Sequence, residues 1–131
     1  MKKYITISSR IDNLREIEKT IDAISAENQL GLEVYGNILI ATLEAVNNAI
    51  THGNKLKEDK NVEVIFTIDN NKLIIITKDE GDGFDYENIP DPTEPENIEN
   101  IDGRGIFLMN QLSDELIFHD EGRISEMIFN I

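Results

Sequence analysis

The chain has 131 residues, a length that suits one domain with a real hydrophobic core. Twelve Lys and Arg against 26 Asp and Glu leave a net charge of −14, which argues against nucleic acid or an anionic membrane as the partner, since phosphate binding needs basic clusters. There is no cysteine for a disulfide framework, a thiolate zinc site or a nucleophile, and no apolar run approaches the ~20 residues of a membrane span. The charge is compatible with a basic protein partner or a divalent cation. The expectation is a cytoplasmic protein whose residues 1–131 form a single domain.

The start of the chain, Met1 to Ile7, reads as a strand rather than a leader, because no long apolar stretch follows Lys2 and Lys3. Leu14, Ile17, Ile21 and Ile24 recur at spacings of three and four and predict an amphipathic helix. Ser9 or Asp12 can cap its start, and Asn28 to Gly31 can end it. A second helix is predicted from about Leu32 to His52. Its apolar residues (Tyr35, Ile38, Leu39, Thr42, Ala45, Val46 and Ala49) fall on more than one face, so it should be central and buried, with Gly53 as its stop. Val62, Val64, Phe66 and Ile68 then alternate with polar positions, Asp69 to Lys72 is turn chemistry, and Leu73 to Thr77 returns as the second strand of a hairpin.

Residues 79–102 contain ten acids, no Lys or Arg, and all three prolines. So long a segment without periodicity is usually functional or disordered. A short helix follows Gly105. The last hairpin runs from Glu115 to Phe118, turns around Asp120-Glu121-Gly122, and returns from Ile124 to Ile131. This order predicts an α+β fold, a two-layer sandwich with helices on one face of a mixed, largely antiparallel sheet.

Three segments carry candidate chemistry. Glu44 and Asn48 lie one turn apart on a predicted helix face, where an amide oxygen can ligate a hard cation and a carboxylate can accept a proton. Asp79 enters a glycine turn, Gly81-Asp82-Gly83, that lets a flat ring approach, and its carboxylate can accept a hydrogen bond from an exocyclic amine such as that of adenine. Gly103-Arg104-Gly105-Ile106 opens an apolar run, as a phosphate loop does at a helix N-terminus. Taken singly, each also fits a plainer role: a solvated helix face, a turn, a helix start. His52 reads as a helix-end polar residue and His119 as a surface residue at a turn.

Taken together and in this order, the segments resemble the Bergerat-fold ATPases, the superfamily of gyrase, heat-shock chaperones, mismatch-repair proteins and histidine kinases. Glu44 and Asn48 match the N box, Asp79 to Gly83 the first glycine box, and Gly103 to Ile106 the second, with an ATP lid over about 85–102. The likeness is greatest to anti-sigma-factor serine kinases and extends over almost the whole chain. It implies that Asn48 ligates Mg²⁺, Asp79 bonds the adenine amine with Gly81 and Gly83 shaping its turn, and Gly103, Arg104, Gly105 and Ile106 back the phosphates of ATP. Glu44 would be the general base toward a partner's serine. The implied partners are a sigma factor and an anti-anti-sigma antagonist, and the implied assembly is a homodimer. The alternative is a module in which nucleotide gates protein binding without phosphoryl transfer. Within the superfamily, these residues include no helix carrying a phospho-accepting histidine, so a sensor histidine kinase would have to be only a fragment here, and no transducer domain, which counts against a gyrase or mismatch-repair relative. Arg123 stands where relatives often carry a small hydroxyl residue.

Overall fold

The computed structural model describes residues 1–86 and 101–131. Most of the lid expected over about 85–102 therefore lies outside the described residues. The elements are β1 (Lys2–Ser8), α1 (Leu14–Asn28), α2 (Leu32–Asn48), β2 (Asn61–Asp69), β3 (Lys72–Lys78), α3 (Ile101–Leu112), β4 (Glu115–His119) and β5 (Ile124–Asn130). The five strands form one sheet in the order β1-β2-β3-β5-β4, antiparallel at all four pairings. The α+β two-layer architecture is the one expected.

Sequence period explains the layers. In α1 the stripe Ile17, Ile21 and Ile24 is buried, as its spacing demands. In β2 and β3 the alternating residues Val62, Val64, Phe66, Leu73 and Ile75 are buried against the helices. α2 packs against both α1 and α3, which is why Ile38, Ala41, Ala45 and Val46 are all inside.

Two local expectations are corrected. Neither Ser9 nor Asp12 caps α1: Asp12 lies in a short 3-10 turn, Ile11–Asn13, and the Ser9 hydroxyl donates to the Lys60 carbonyl instead, at 2.7 Å. α1 ends within the expected Asn28 to Gly31 stretch, at Gln29 in the left-handed region at φ 51°, while Gly31 precedes α2. The glycines of Gly103-Arg104-Gly105 do not precede their helix but lie within its first turns, since α3 begins at Ile101.

α2 reaches its expected end by a change of winding. Residues Ala49–Gly53 form a π-helical turn, closed by the Asn54 N–H donating to the Ala49 carbonyl at 2.8 Å. Such a turn widens the helix and is frequent where a helix end borders a site. Here it brings His52 and Gly53 beside the end of β3.

Candidate functional site

One cavity lies between the helices and the helix-facing side of the sheet, holding about 650 Å³ of atom-free space, part of it open to solvent. From the end of α2 come Asn48, His52 and Gly53, from the β3 end Thr77 and Asp79, and from the following turn Gly83 and Phe84. α3 contributes Ile106 and Met109, while β4, β5 and their turn contribute Phe118, Gly122, Arg123 and Ser125.

The second glycine segment meets the polar pair of α2 directly. A methyl group on Gly105 would lie 2.9 Å from Asn48 Nδ2 and 3.1 Å from Glu44 Oε2, so only a bare Cα lets α3 approach these side chains so closely. Asn48 Nδ2 donates to the Met109 sulfur at 3.9 Å, an orientation that leaves the amide oxygen as the atom suited to a hard cation. Among the described residues no three His, Cys, Asp or Glu side chains cluster as a protein-only metal site. A cation here would need ligands from elsewhere, which is how Mg²⁺ binds when it shares one or two protein ligands with substrate phosphates.

Asp79 sits at the other glycine segment. Gly53 makes room for it, since a methyl there would be 2.5 Å from the Asp79 carboxyl carbon. The Gly81 N–H donates to Asp79 Oδ1 at 2.8 Å, and the Asp79 N–H donates to the Arg123 carbonyl at 3.0 Å. Burial pushes the Asp79 carboxyl above its ordinary value, against the lowering effects of the Gly81 N–H, Arg123 and Lys60.

Beside Asp79, Thr77 is 3% exposed, and its hydroxyl has no hydrogen-bond partner among the described residues. Register places it directly across from Ser125, which also lines the cavity. A buried hydroxyl left open on a cavity fits a polar ligand. The residues present therefore suit a flat polar ring near Asp79 and Thr77, and an anion with its cation near Asn48 and Gly105.

Of the residues picked from sequence, the structure puts Asn48, Asp79, Gly83 and Ile106 on the cavity wall. Glu44 and Gly105 stand against each other beside Asn48, and Gly81 supports Asp79 from behind. Arg104 is an exposed residue of α3, and Gly103 belongs to the same first turns.

Sequence reasoning missed Thr77, Phe84, Met109, Phe118 and Ser125, and it read His52 only as a helix-end residue. It also left Arg123 without a role. Its Nε donates to the Gly81 carbonyl at 2.8 Å and its Nη2 to the Asp82 carbonyl at 3.1 Å, so the guanidinium holds the Asp79 turn onto the β4–β5 turn. Phe84 joins that contact: its N–H donates to the Glu121 carbonyl at 2.9 Å, and its ring packs edge-on against Phe118, with centroids 5.3 Å apart.

A family model described as "Histidine kinase-like ATPase domain" matches residues 7–129. Similar curated proteins include "Serine-protein kinase RsbW" from Staphylococcus aureus strain JH9 and from strain Newman. Each is 39% identical over 95 residues, covering 66% of this chain and 58% of the relative. The chain thus spans less than two thirds of the length of the relatives it matches.

Proposed function

The chain belongs to the histidine kinase-like ATPase domain family, and on that premise we propose that it binds ATP with Mg²⁺ and transfers the γ-phosphoryl group to a serine or threonine of a partner protein. The similarity to serine-protein kinases supports the transfer. Following the resemblance of its sequence motifs, the phosphorylated partner is an anti-anti-sigma antagonist and a second partner is a sigma factor that the chain sequesters. The chain acts as a single-domain homodimer in the cytoplasm.

One observation carries this reading: a single cavity is lined by both Asp79 and Asn48, and Gly105 lies so near Asn48 and Glu44 that a methyl group there would crowd them. In the proposed complex Asp79 accepts a hydrogen bond from the adenine amine, in the turn shaped by Gly81 and Gly83. Asn48 ligates Mg²⁺ through its amide oxygen. Mg²⁺ supplies charge neutralisation across the phosphates. Gly103, Arg104, Gly105 and Ile106, in the first turns of α3, back the phosphates near the N-terminal end of the helix, whose dipole favours an anion. Glu44 accepts the proton as the partner's hydroxyl oxygen bonds to the γ-phosphorus and the bond to the ADP oxygen breaks.

The test is transfer of label from γ-labelled ATP to a candidate antagonist protein, run with wild type, Glu44→Gln and Asn48→Ala. Glu44→Gln should keep nucleotide affinity within a few-fold while transfer falls by roughly 10²–10⁴, the usual contribution of a positioned base. Asn48→Ala should impair both binding and transfer. A Glu44→Gln variant that phosphorylates at the wild-type rate would make Glu44 structural. Nucleotide-controlled complex formation with no label transferred would favour the gated binding module.

A further inference from the structure

Just beyond the π-helical turn lies a buried amide that none of the three motifs includes. Asn54 is 1% exposed and lies far from Asp79 in sequence, yet its side chain bonds to three separate segments. Its Nδ2 donates to Ser9 Oγ at 2.9 Å and to the Asn61 carbonyl at 2.9 Å, and its Oδ1 accepts from the Glu80 N–H at 2.7 Å. Both amide donors and one oxygen lone pair are thus used, tying the end of β1 and the start of β2 to the residue that follows Asp79.

The surroundings restrict this turn further. The Glu80 carboxylate accepts from the Asn61 N–H, and the Lys60 ammonium donates to the Glu80 carbonyl at 3.3 Å. Gly81, one residue further on, is the donor to Asp79 Oδ1. The Asn54 bond to Glu80 therefore fixes the peptide between Asp79 and the glycine that orients its carboxylate. A buried amide with three satisfied bonds in a poorly solvated place holds such geometry firmly, because any departure leaves polar groups unpaired.

We infer that Asn54 is a positioning residue for Asp79: through the Glu80 N–H it sets the turn that aims the carboxylate into the cavity, and so it governs adenine-nucleotide affinity without touching the nucleotide. This rests on the nucleotide-binding reading above. Ser9 offers the internal control. It touches the same amide and the Lys60 carbonyl, but makes none of the bonds to Glu80.

The experiment compares wild type, Asn54→Ala and Ser9→Ala by two readouts. One is Mg-ADP affinity by calorimetry. The other is hydrogen exchange of the Gly81 amide in the ligand-free protein, with the β3 amide of Ile75 as reference. Asn54→Ala should speed Gly81 exchange at least tenfold with Ile75 still protected, and weaken Mg-ADP roughly tenfold, the scale of one misplaced charge-assisted bond. Ser9→Ala should lower the melting temperature yet keep affinity within about twofold.

Unchanged Gly81 exchange and unchanged affinity in Asn54→Ala would overturn the inference. So would equal losses in Asn54→Ala and Ser9→Ala, which would mark a general structural knot. Should the alanine variant not fold, Asn54→Ser gives the same reading, because its short hydroxyl cannot reach Ser9, Asn61 and Glu80 together. If wild type binds no nucleotide while Gly81 still loses protection in Asn54→Ala, the nucleotide reading fails and the positioning of the turn stands.

Discussion

Burial raises the Asp79 carboxyl, and its charged and hydrogen-bonded neighbours offset only part of that. For a group whose folded pKa lies above its unfolded one, the stability it contributes is complete below the unfolded pKa and is lost as pH rises through the folded pKa. As pH rises through its folded range, the buried carboxyl therefore costs the ligand-free fold stability on ionising, while the carboxylate so formed can accept a hydrogen bond. Asp79→Asn is expected to melt higher than wild type at neutral pH, and the advantage should vanish below the ordinary carboxylate range. Melting curves across pH check this, and a lower melting temperature at neutral pH would contradict it. Gly105 makes a second residue-level case. Alanine there raises helix propensity by up to about 1 kcal/mol. Its methyl, however, would meet Asn48 and Glu44 at 2.9 and 3.1 Å and push them aside. Gly105→Ala should melt at or above the wild-type temperature while Mg-ATP affinity falls about tenfold. Unchanged affinity by calorimetry would remove Gly105 from the proposed phosphate site.

Among the elements, the β4–β5 turn does more than connect strands. Arg123 bonds the carbonyls of Gly81 and Asp82, and its positive charge also lowers the Asp79 pKa. Arg123→Ala should raise the Asp79 pKa further, followed by NMR titration of the carboxyl carbon, and weaken nucleotide binding. Arg123→Lys should recover part of the charge effect but not the two-carbonyl grip, since an ammonium lacks the planar fork. An unmoved Asp79 titration in Arg123→Ala would mean that the guanidinium is only a surface tie. The same elements mark what sequence can convey. Leu14, Ile17, Ile21 and Ile24 were readable because burial against a sheet imposes a helical period, and β2 and β3 because it imposes alternation. Local pattern carries no trace of the π-helical turn at Ala49–Gly53, nor of the left-handed Gln29, because both answer to packing from distant residues. Arg123 reaches Gly81 across 42 residues and Asn54 reaches Glu80 across 26, distances over which no periodicity speaks.

Across the whole molecule, three runs far apart in sequence converge on one cavity. They were legible because each is a contiguous motif, and each puts a residue on the wall: Asn48 from α2, Asp79 and Gly83 from the glycine turn, and Ile106 after the glycines of α3. Thr77, Ser125, Phe118 and Met109 were not, because each joins the wall as a lone residue of an element whose pattern reads as core. The sheet explains the convergence: β3 lies between β2 and β5, so its end delivers Asp79 between the α2 terminus and the β4–β5 turn. A chain with a net charge of −14 offers no general attraction to a polyanion, so the proposed nucleotide affinity has to come from this cavity. Base identity should therefore be read locally, at Asp79. Guanine places a carbonyl where adenine has its amine, setting acceptor against acceptor. The most direct measurement is calorimetric titration of wild type and Asp79→Asn with Mg-ATP and Mg-GTP. The account predicts that wild type binds ATP more tightly than GTP, and that Asp79→Asn loses roughly ten- to a hundredfold in ATP affinity with its preference for ATP much reduced. Equal affinities for the two nucleotides, or an Asp79→Asn variant that binds ATP as wild type does, would contradict it.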